Sequence, residues 1–599
     1  MLGEIKTYIA EKFEILYYFY KYIGNSFFLL LGFNFLSVLM DGLGLTMFVP
    51  LLQIADNNVG LEGNNGELVS LVKSFFNYFN IPLNVLTMLL LIGSVFIFKA
   101  LFSYFTMSFQ SITLNVFSQK LRNKNSLGLS KLNYKEFISA DIGRMQSTLT
   151  GDVYAVTAAC TNYIETIKNG MIVSVYMGFA FFMDWKFSIL VMIGGLLTNF
   201  IYKFFYKHTK NFSKKDTDYE HQYTGLVIQG INHFKYLKAT SRNSLFDKRM
   251  LDLLEVSVEN KIKSGKLNAF ITSLREPLMV IVVCVVIALQ LIVFKASLSA
   301  IMIVLMLFYR AMAYIMSVQI CWNIYLSNIG AMDNMRDFEK YLLENEEKKN
   351  GSIKINQIDT IHLDKINLSF DEFKVIDNLS LDIKNKQSVA FVGESGSGKT
   401  TLVNIICGLL HSNNGKLEVN GIPVDKIDLK SYRSKIGYIS QEPTIFNGDI
   451  FDNVTFWAER TPENINKFMD TMKKCSMIKF LDKLPQGYNE LLGYNGLNLS
   501  GGQKQRISIA RELYRDIDVL IMDEATSALD SETEKEIKES IDALKGTVTI
   551  ISIAHRLSTI QNADVIHLMA NGKIIDSGNF KELKSYSNNF KKMTDLQGM

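Results

Sequence analysis

Proline and cysteine are both scarce in this 599-residue chain, and neither sign of charge is in large excess. Seven prolines against 41 phenylalanines exclude a proline-rich disordered protein, because so many aromatic side chains need an apolar phase to bury in. The five cysteines, Cys160, Cys284, Cys321, Cys407 and Cys475, are odd in number, widely spaced and without a C-x-x-C pair. Neither a disulfide framework nor a zinc site is therefore expected. Lysine and arginine (63) nearly balance aspartate and glutamate (59), so the net charge of +4 is too small for a nucleic-acid-coating surface. A secretory signal is not expected either. Residues 1–22 interleave Glu4, Lys6, Glu11, Lys12 and Lys21 with aromatics, the pattern of an amphipathic helix on the cytosolic face of a membrane.

What is abundant is apolar: 48% of residues, against 20% charged. Long runs of Leu, Ile, Val, Phe and Met fill the chain up to about residue 330, after which it reads as a soluble globular domain. A spanning helix needs about 20 apolar residues to cross roughly 30 Å of hydrocarbon. Six segments qualify, near 26–52, 85–110, 163–183, 187–206, 277–294 and 298–325. The polar stretches at 111–162 and 207–276 keep helical apolar spacing, as in Val227, Ile231, Phe234 and Leu237, and are expected to extend the spanning helices. Lys120, Arg122, Lys124, Lys131 and Lys135 lie in the first stretch; Lys203, Lys207, Lys210, Lys214 and Lys215 lie in or just before the second. The loop after the first segment instead holds Asp56, Glu62 and Glu67 against Lys73. The excess of cations puts the long stretches and both termini in the cytosol. A transmembrane domain over 1–335, a charged linker over 336–351 around Glu344–Gly351, and a second, soluble domain over 352–599 are expected.

The soluble half carries motifs of phosphate chemistry. A β-type run at 387–392 leads into Gly393-Glu394-Ser395-Gly396-Ser397-Gly398-Lys399-Thr400, and a helical run from Thr401 to Leu410 follows. This strand, G-x-x-x-x-G-K-T loop and helix form the context of a P-loop, whose backbone N–H groups cradle phosphate oxygens at a helix N-terminus. Lys399 supplies a charge for the β- and γ-phosphates and Thr400 a hydroxyl for Mg²⁺. Farther on, the buried-strand run 519–522 ends in Asp523-Glu524, one carboxylate for Mg²⁺ and the next to activate a water. Between them Leu499-Ser500-Gly501-Gly502-Gln503 opens a helix.

With that last motif the whole chain resembles the ATP-binding cassette (ABC) family, in its exporter half-transporter form. The resemblance implies six membrane helices fused to an α/β P-loop NTPase domain, ATP and Mg²⁺ as cofactors, and a second copy of the chain as partner. It implies Gly393, Glu394, Ser395, Gly396, Ser397, Gly398, Lys399, Thr400 and Thr401 as nucleotide-binding. Ser500, Gly501, Gly502 and Gln503 would reach the γ-phosphate held by the other copy's loop, with Asp530 from the Ser527-Ala528-Leu529-Asp530 D-loop nearby. Gln441 matches the family's Q-loop, with a part in Mg²⁺ binding and catalysis beside Thr400 and Asp523. Glu524 is implied as the base and His555 as the switch histidine. Phe370 stands where the family stacks an aromatic ring on adenine, with Phe373 as a competitor. One departure stands before the signature: the family's Gly-Glu-x-Gly is here Gly493-Tyr494-Asn495-Gly496.

A narrower likeness concerns the cargo. Leu132–Phe137, Thr150-Gly151-Asp152-Val153-Tyr154 and Phe308-Tyr309-Arg310 look like the bacterial flippases of lipid-linked oligosaccharides. That implies a bacterial plasma (inner) membrane, an amphipathic lipid-linked substrate, and no nucleic acid. Cations at membrane depth cost about 2.5–3.5 kcal/mol on insertion scales, so Lys99, Arg275 and Arg310 on three segments suggest a wall that attracts an anionic headgroup. An external short helix is expected around Leu71–Phe79, and Ser317 is neutral where a further cation would fit the likeness. A peptide or small hydrophobic compound is the alternative cargo. A non-transport cassette ATPase acting on nucleic acid does not fit six apolar segments.

Overall fold

The computed structural model describes residues 14–47, 51, 74, 76–78, 82, 84–183, 185–292, 298–347, 351–370, 372–523, 538–539, 541–554 and 556–597. The chain forms two compact units, Met1–Leu132 with Ser139–Glu346, and Asn133–Ile138 with Glu347–Met599.

The first unit is helical. Helix α1 (Glu14–Ile23) meets α2 (Ser26–Thr46) at a bend of 103°. Buried Glu339 anchors α1: one carboxylate oxygen accepts from Tyr18 at 2.9 Å and from Tyr22 at 2.5 Å, and the other from Lys124 at 2.6 Å. Then follow α3 (Val85–Ser130), α4 (Tyr134–Ser139, which up to Ile138 belongs to the second unit), α5 (Ile142–Ser147), a π-turn over Thr148–Asp152, α6 (Val153–Met183), α7 (Trp185–Asn232), α8 (Phe234–Ala239), α9 (Asn243–Ile292), α10 (Leu298–Ser327) and α11 (Ile329–Glu344). Asn84 and Thr87 close a capping box at the start of α3. Each of the six apolar segments falls on one of α2, α3, α6, α7, α9 and α10. Among the described residues α3 and α9 are each long and apolar enough to cross a membrane, and the bent α1–α2 pair adds a third if it counts as one span. The polar stretches do prolong helices. On α3 the buried Thr113, Phe117, Leu121 and Asn125 recur every fourth residue well past the apolar run, which keeps one face packed.

The expected linker differs. Helix α11 runs through Glu344 and buries Phe338 and Leu342 against Met145, so residues 336–344 belong to the helical core and the division falls after Glu346. Apart from buried Glu339, the charges in that tract lie on the more exposed face of an amphipathic helix, which composition alone does not separate from a linker. The external helix expected around 71–79 lies largely outside the described residues.

The second unit contains two sheets. Strands β1 (Thr360–Phe370), β2 (Phe373–Lys384), β4 (Asn414–Val419) and β5 (Ile422–Pro423) form an antiparallel sheet in the order β2-β1-β4-β5. The other sheet has β3 (Ser388–Gly393), β6 (Ile436–Ile439), β7 (Val519–Asp523), β8 (Thr549–Ile553), β9 (Val565–Ala570) and β10 (Lys573–Gly578), in the order β10-β9-β3-β8-β7-β6. It is parallel except for β10. Strands β3 and β7 are buried at every position, as parallel strands covered on both faces must be. Both end at the same edge, where α/β sheets hold their ligands. Helix α12 (Lys399–Ile406) follows β3, and α13 (Ile450–Thr455), α14 (Pro462–Lys474) and α15 (Gly501–Tyr514) pack on a second core around Phe451, Phe468 and Ile507.

Candidate functional site

The loop from β3 to α12 has the backbone its glycines dictate. Gly393 has φ +150° and its missing Cβ would sit 2.2 Å from the Met569 carbonyl; Gly398 has φ +97° with Val375 O and Ile376 Cδ1 2.9 Å from where a Cβ would stand. Only glycine fits such close approach at positive φ. The Lys399 ammonium is buried and folded back on its own loop, donating to Gly393 O at 2.9 Å and Glu394 O at 2.8 Å. Thr400 is exposed and Thr401 half-buried at the start of α12, and Ser397 is buried while Glu394, Ser395 and Gly396 are exposed. The loop thus offers backbone N–H groups, a lysine and two hydroxyls at a helix N-terminus, the equipment for a polyphosphate.

Asp523 ends β7, buried, and its Oδ2 accepts from the Tyr438 hydroxyl at 3.2 Å. Gln441 is exposed just beyond β6. Thr400, Gln441 and Asp523 provide a hydroxyl, an amide oxygen and a carboxylate, the hard oxygen donors that suit Mg²⁺. Among the described residues no group of three or more His, Cys, Asp and Glu could hold a metal by itself. Glu524, Asp530 and His555 lie outside the described residues.

The signature residues open α15. Ser500 caps it in a capping box, accepting from Gln503 N at 3.3 Å while its own N–H donates to Gln503 Oε1 at 2.8 Å. Ser500 and Gly501 are exposed, Gly502 buried and Gln503 half-buried. Farther along α15, buried Arg511 donates from Nε to Asn453 O at 2.7 Å, from Nη2 to Asn453 Oδ1 at 3.1 Å and from Nη1 to Thr444 O at 2.9 Å. Arg511 ties the signature helix to the segment that follows Gln441. Nothing in the motifs marked it, and its partners lie 58 and 67 positions away.

Phe370 is half-buried against the core of the antiparallel sheet, whereas Phe373, its register partner, is 80% exposed. Helix α4 comes to the same region of this unit: Tyr134 packs on that core and Lys135 Nζ stands 6.0 Å from the centre of the Phe370 ring.

In the helical unit the three cations fare differently. Lys99 is paired with Asp41, whose other oxygen accepts from Tyr176 at 2.5 Å, so α2, α3 and α6 meet at a neutralised charge. Arg275 is 3% exposed and donates from Nη2 to Gln319 O at 3.3 Å. Its Nε, Gln319 Oε1 and Tyr202 OH have no hydrogen-bond partner among the described residues. Only Arg310 is exposed. The pairing of Lys99 with an acid 58 positions earlier is a long-range fact that spacing does not reveal.

Comparison with known proteins agrees with both units. The family model of the ABC transporter transmembrane region matches residues 16–318, more than half of the chain, and that of the ABC transporter matches 376–527. The ATP-dependent lipid A-core flippase of Francisella novicida is 29% identical over 452 residues, 74% of this chain and 75% of that protein. The protein of the same description from Psychrobacter arcticus is 29% identical over 488 residues, 80% of each chain. The heterocyst differentiation ATP-binding protein HepA of Nostoc is 28% identical over 492 residues, covering 81% of this chain and 80% of its own. A solved structure of a bacterial Atm1-family ABC exporter with ATP bound superposes with a TM-score of 0.79 at 18% identity, over 94% of this chain and 98% of that one.

Proposed function

Since the chain belongs to the ABC transporter family and is an ATP-hydrolysing membrane exporter, we propose that two copies use ATP to move an anionic amphipathic lipid outward across a bacterial plasma membrane. Both termini lie in the cytosol on this reading, by the placement of lysine and arginine. The observation that carries the lipid reading is the run of relatives described as lipid A-core flippases, aligned over 74% and 80% of the chain in the two named above. A lipid-linked oligosaccharide and a lipid A-core share the feature that matters here, a phosphorylated headgroup on long acyl or prenyl chains. Arg310 is the cation open to such a headgroup. Lys99 acts through its balance with Asp41, and Arg275 would engage an anion only if the helices around it part.

At the cassette, Lys399 exchanges its loop carbonyls for phosphate oxygens, and the loop N–H groups from Gly393 to Thr401 hold the rest of the polyphosphate. Phe370 offers its ring to adenine. Thr400, Gln441 and Asp523 would hold Mg²⁺, which would supply positive charge against the negative charge developing on the phosphates. Glu524 accepts a proton from the attacking water, and His555 orients groups at the γ-phosphate. Ser500, Gly501, Gly502 and Gln503, with Asp530, complete the site of the second copy. The shared phosphate sites make closure of the pair depend on ATP, and hydrolysis reopens it.

The test is which ligand stimulates ATP hydrolysis by the purified protein in lipid. A lipid with a phosphorylated headgroup should raise the rate, and a panel of hydrophobic peptides should not. Stimulation by peptides alone would replace the lipid reading with peptide export.

A further inference from the structure

We infer that Tyr438 is a positioning residue for the metal carboxylate of the cassette: its hydroxyl fixes the orientation in which Asp523 meets Mg²⁺. The inference rests on the reading of Asp523 as a Mg²⁺ ligand and goes beyond it.

The sheet puts the two side chains together. Strand β6 pairs in parallel with β7, with Tyr438 opposite Ile521 and Ile439 opposite Met522. Asp523 is two residues beyond Ile521 and so emerges on the same face, diagonal to Tyr438 and within reach of a long side chain. Their hydrogen bond of 3.2 Å runs from the phenol to Asp523 Oδ2. Asp523 is 9% exposed, so the orientation of its carboxylate is set by protein groups more than by water.

The position in the chain gives the contact its meaning. Tyr438 lies three residues before Gln441, so one short segment carries both a Mg²⁺ donor and the group that orients another. The phenol's hydrogen bond to Oδ2 limits the rotation of the carboxylate. A carboxylate held in one rotamer meets the ion without first losing that freedom. Groups of this kind behind a metal ligand typically matter by about 10–100-fold in metal affinity.

The experiment uses the full chain in nanodiscs with a non-hydrolysable ATP analogue, and reads Mn²⁺ affinity by electron paramagnetic resonance. Tyr438→Phe keeps the ring and removes the donor. It should weaken Mn²⁺ binding about tenfold. Binding of the analogue in excess EDTA should be unchanged, because the loop and Phe370 are untouched. Asp523→Asn should weaken Mn²⁺ binding by itself, and adding Tyr438→Phe to it should cause no further loss. Unchanged Mn²⁺ affinity in Tyr438→Phe, with Asp523→Asn impaired, overturns the inference and leaves the metal reading standing. Unchanged affinity in Asp523→Asn overturns both. Parallel loss of Mn²⁺ and of EDTA-resistant nucleotide binding in Tyr438→Phe would mean a structural role only, and likewise overturns it.

Discussion

Removing Lys99 should cost more than removing Lys99 and Asp41 together. Asp41 is 9% exposed and sits where α2, α3 and α6 meet; one oxygen takes Lys99 and the other takes Tyr176. Lys99→Gln leaves that carboxylate with its charge unpaired in apolar surroundings. Breaking a buried pair from one side typically costs about 3–5 kcal/mol. Because the Lys99 side chain is 28% exposed, the lower end applies, about 3 kcal/mol. Asp41→Asn keeps an oxygen for Tyr176 and strands only the ammonium, whose flexible stem can carry it toward water, for about 2 kcal/mol. With both changes no charge is left alone, and the cost should stay near 2 kcal/mol where simple addition gives about 5. The coupling of about 3 kcal/mol is measurable from unfolding of the full chain and the three variants in mixed micelles. The same pattern should appear in transport: Asp41→Asn should restore part of the lipid movement lost in Lys99→Gln. Additive destabilisation, with no restoration, would refute the pair and return Lys99 to a direct role at the headgroup.

Three further outcomes are expected. Arg511→Ala removes three hydrogen bonds between the signature helix and the segment after Gln441, leaves the Asn453 and Thr444 carbonyls short of a donor, and should cost about 3 kcal/mol in unfolding experiments together with most of the ATPase activity. Burial pushes His567 down to about 4 from 6.5. The folded state thus disfavours the proton, so its contribution is complete above the unfolded pKa and is lost as pH falls from 6.5 toward 4, by roughly 3 kcal/mol. His567→Phe should flatten that part of the stability profile, and an unaltered slope would contradict the assignment. In mixed dimers, Ser500→Arg and Lys399→Ala in one chain put a lesion in each composite site. Split between chains, they fall in one site and spare the other. More ATPase is expected from the split arrangement, and equal rates would argue against shared sites.

Much of the fold is legible in local pattern. Apolar run length points to α2, α3, α6, α7, α9 and α10, and fourfold spacing carries α3 past its apolar segment to Ser130. The P-loop is legible because glycines at fixed positions answer a backbone demand, as at Gly393 and Gly398. The signature is legible for a related reason, since Ser500 and Gln503 form a local cap. What pattern does not carry is pairing between distant residues. Lys99 reads as an unpaired cation until α2 brings Asp41 to it, and Arg275 reads as a lining residue until the bundle encloses it. Tyr438 looks like an ordinary strand aromatic, and only the register of β6 on β7 turns it toward Asp523. The charges of 336–344 suggest a linker because composition does not record that Phe338 and Leu342 share a buried face.

The central claim is that ATP hydrolysis by this chain moves an anionic lipid. It is tested most directly by reconstituting the protein in proteoliposomes with a labelled polyprenyl-pyrophosphate-linked sugar or a lipid A-core, and following its appearance in the opposite leaflet. With ATP and Mg²⁺ the wild type should move such a lipid. Glu524→Gln should bind ATP and move it at a rate lower by about 10²–10⁴-fold, and Arg310→Gln should hydrolyse ATP yet move it poorly. Movement that is independent of ATP, or no movement of either lipid by a protein that hydrolyses ATP and exports a peptide, would contradict the account.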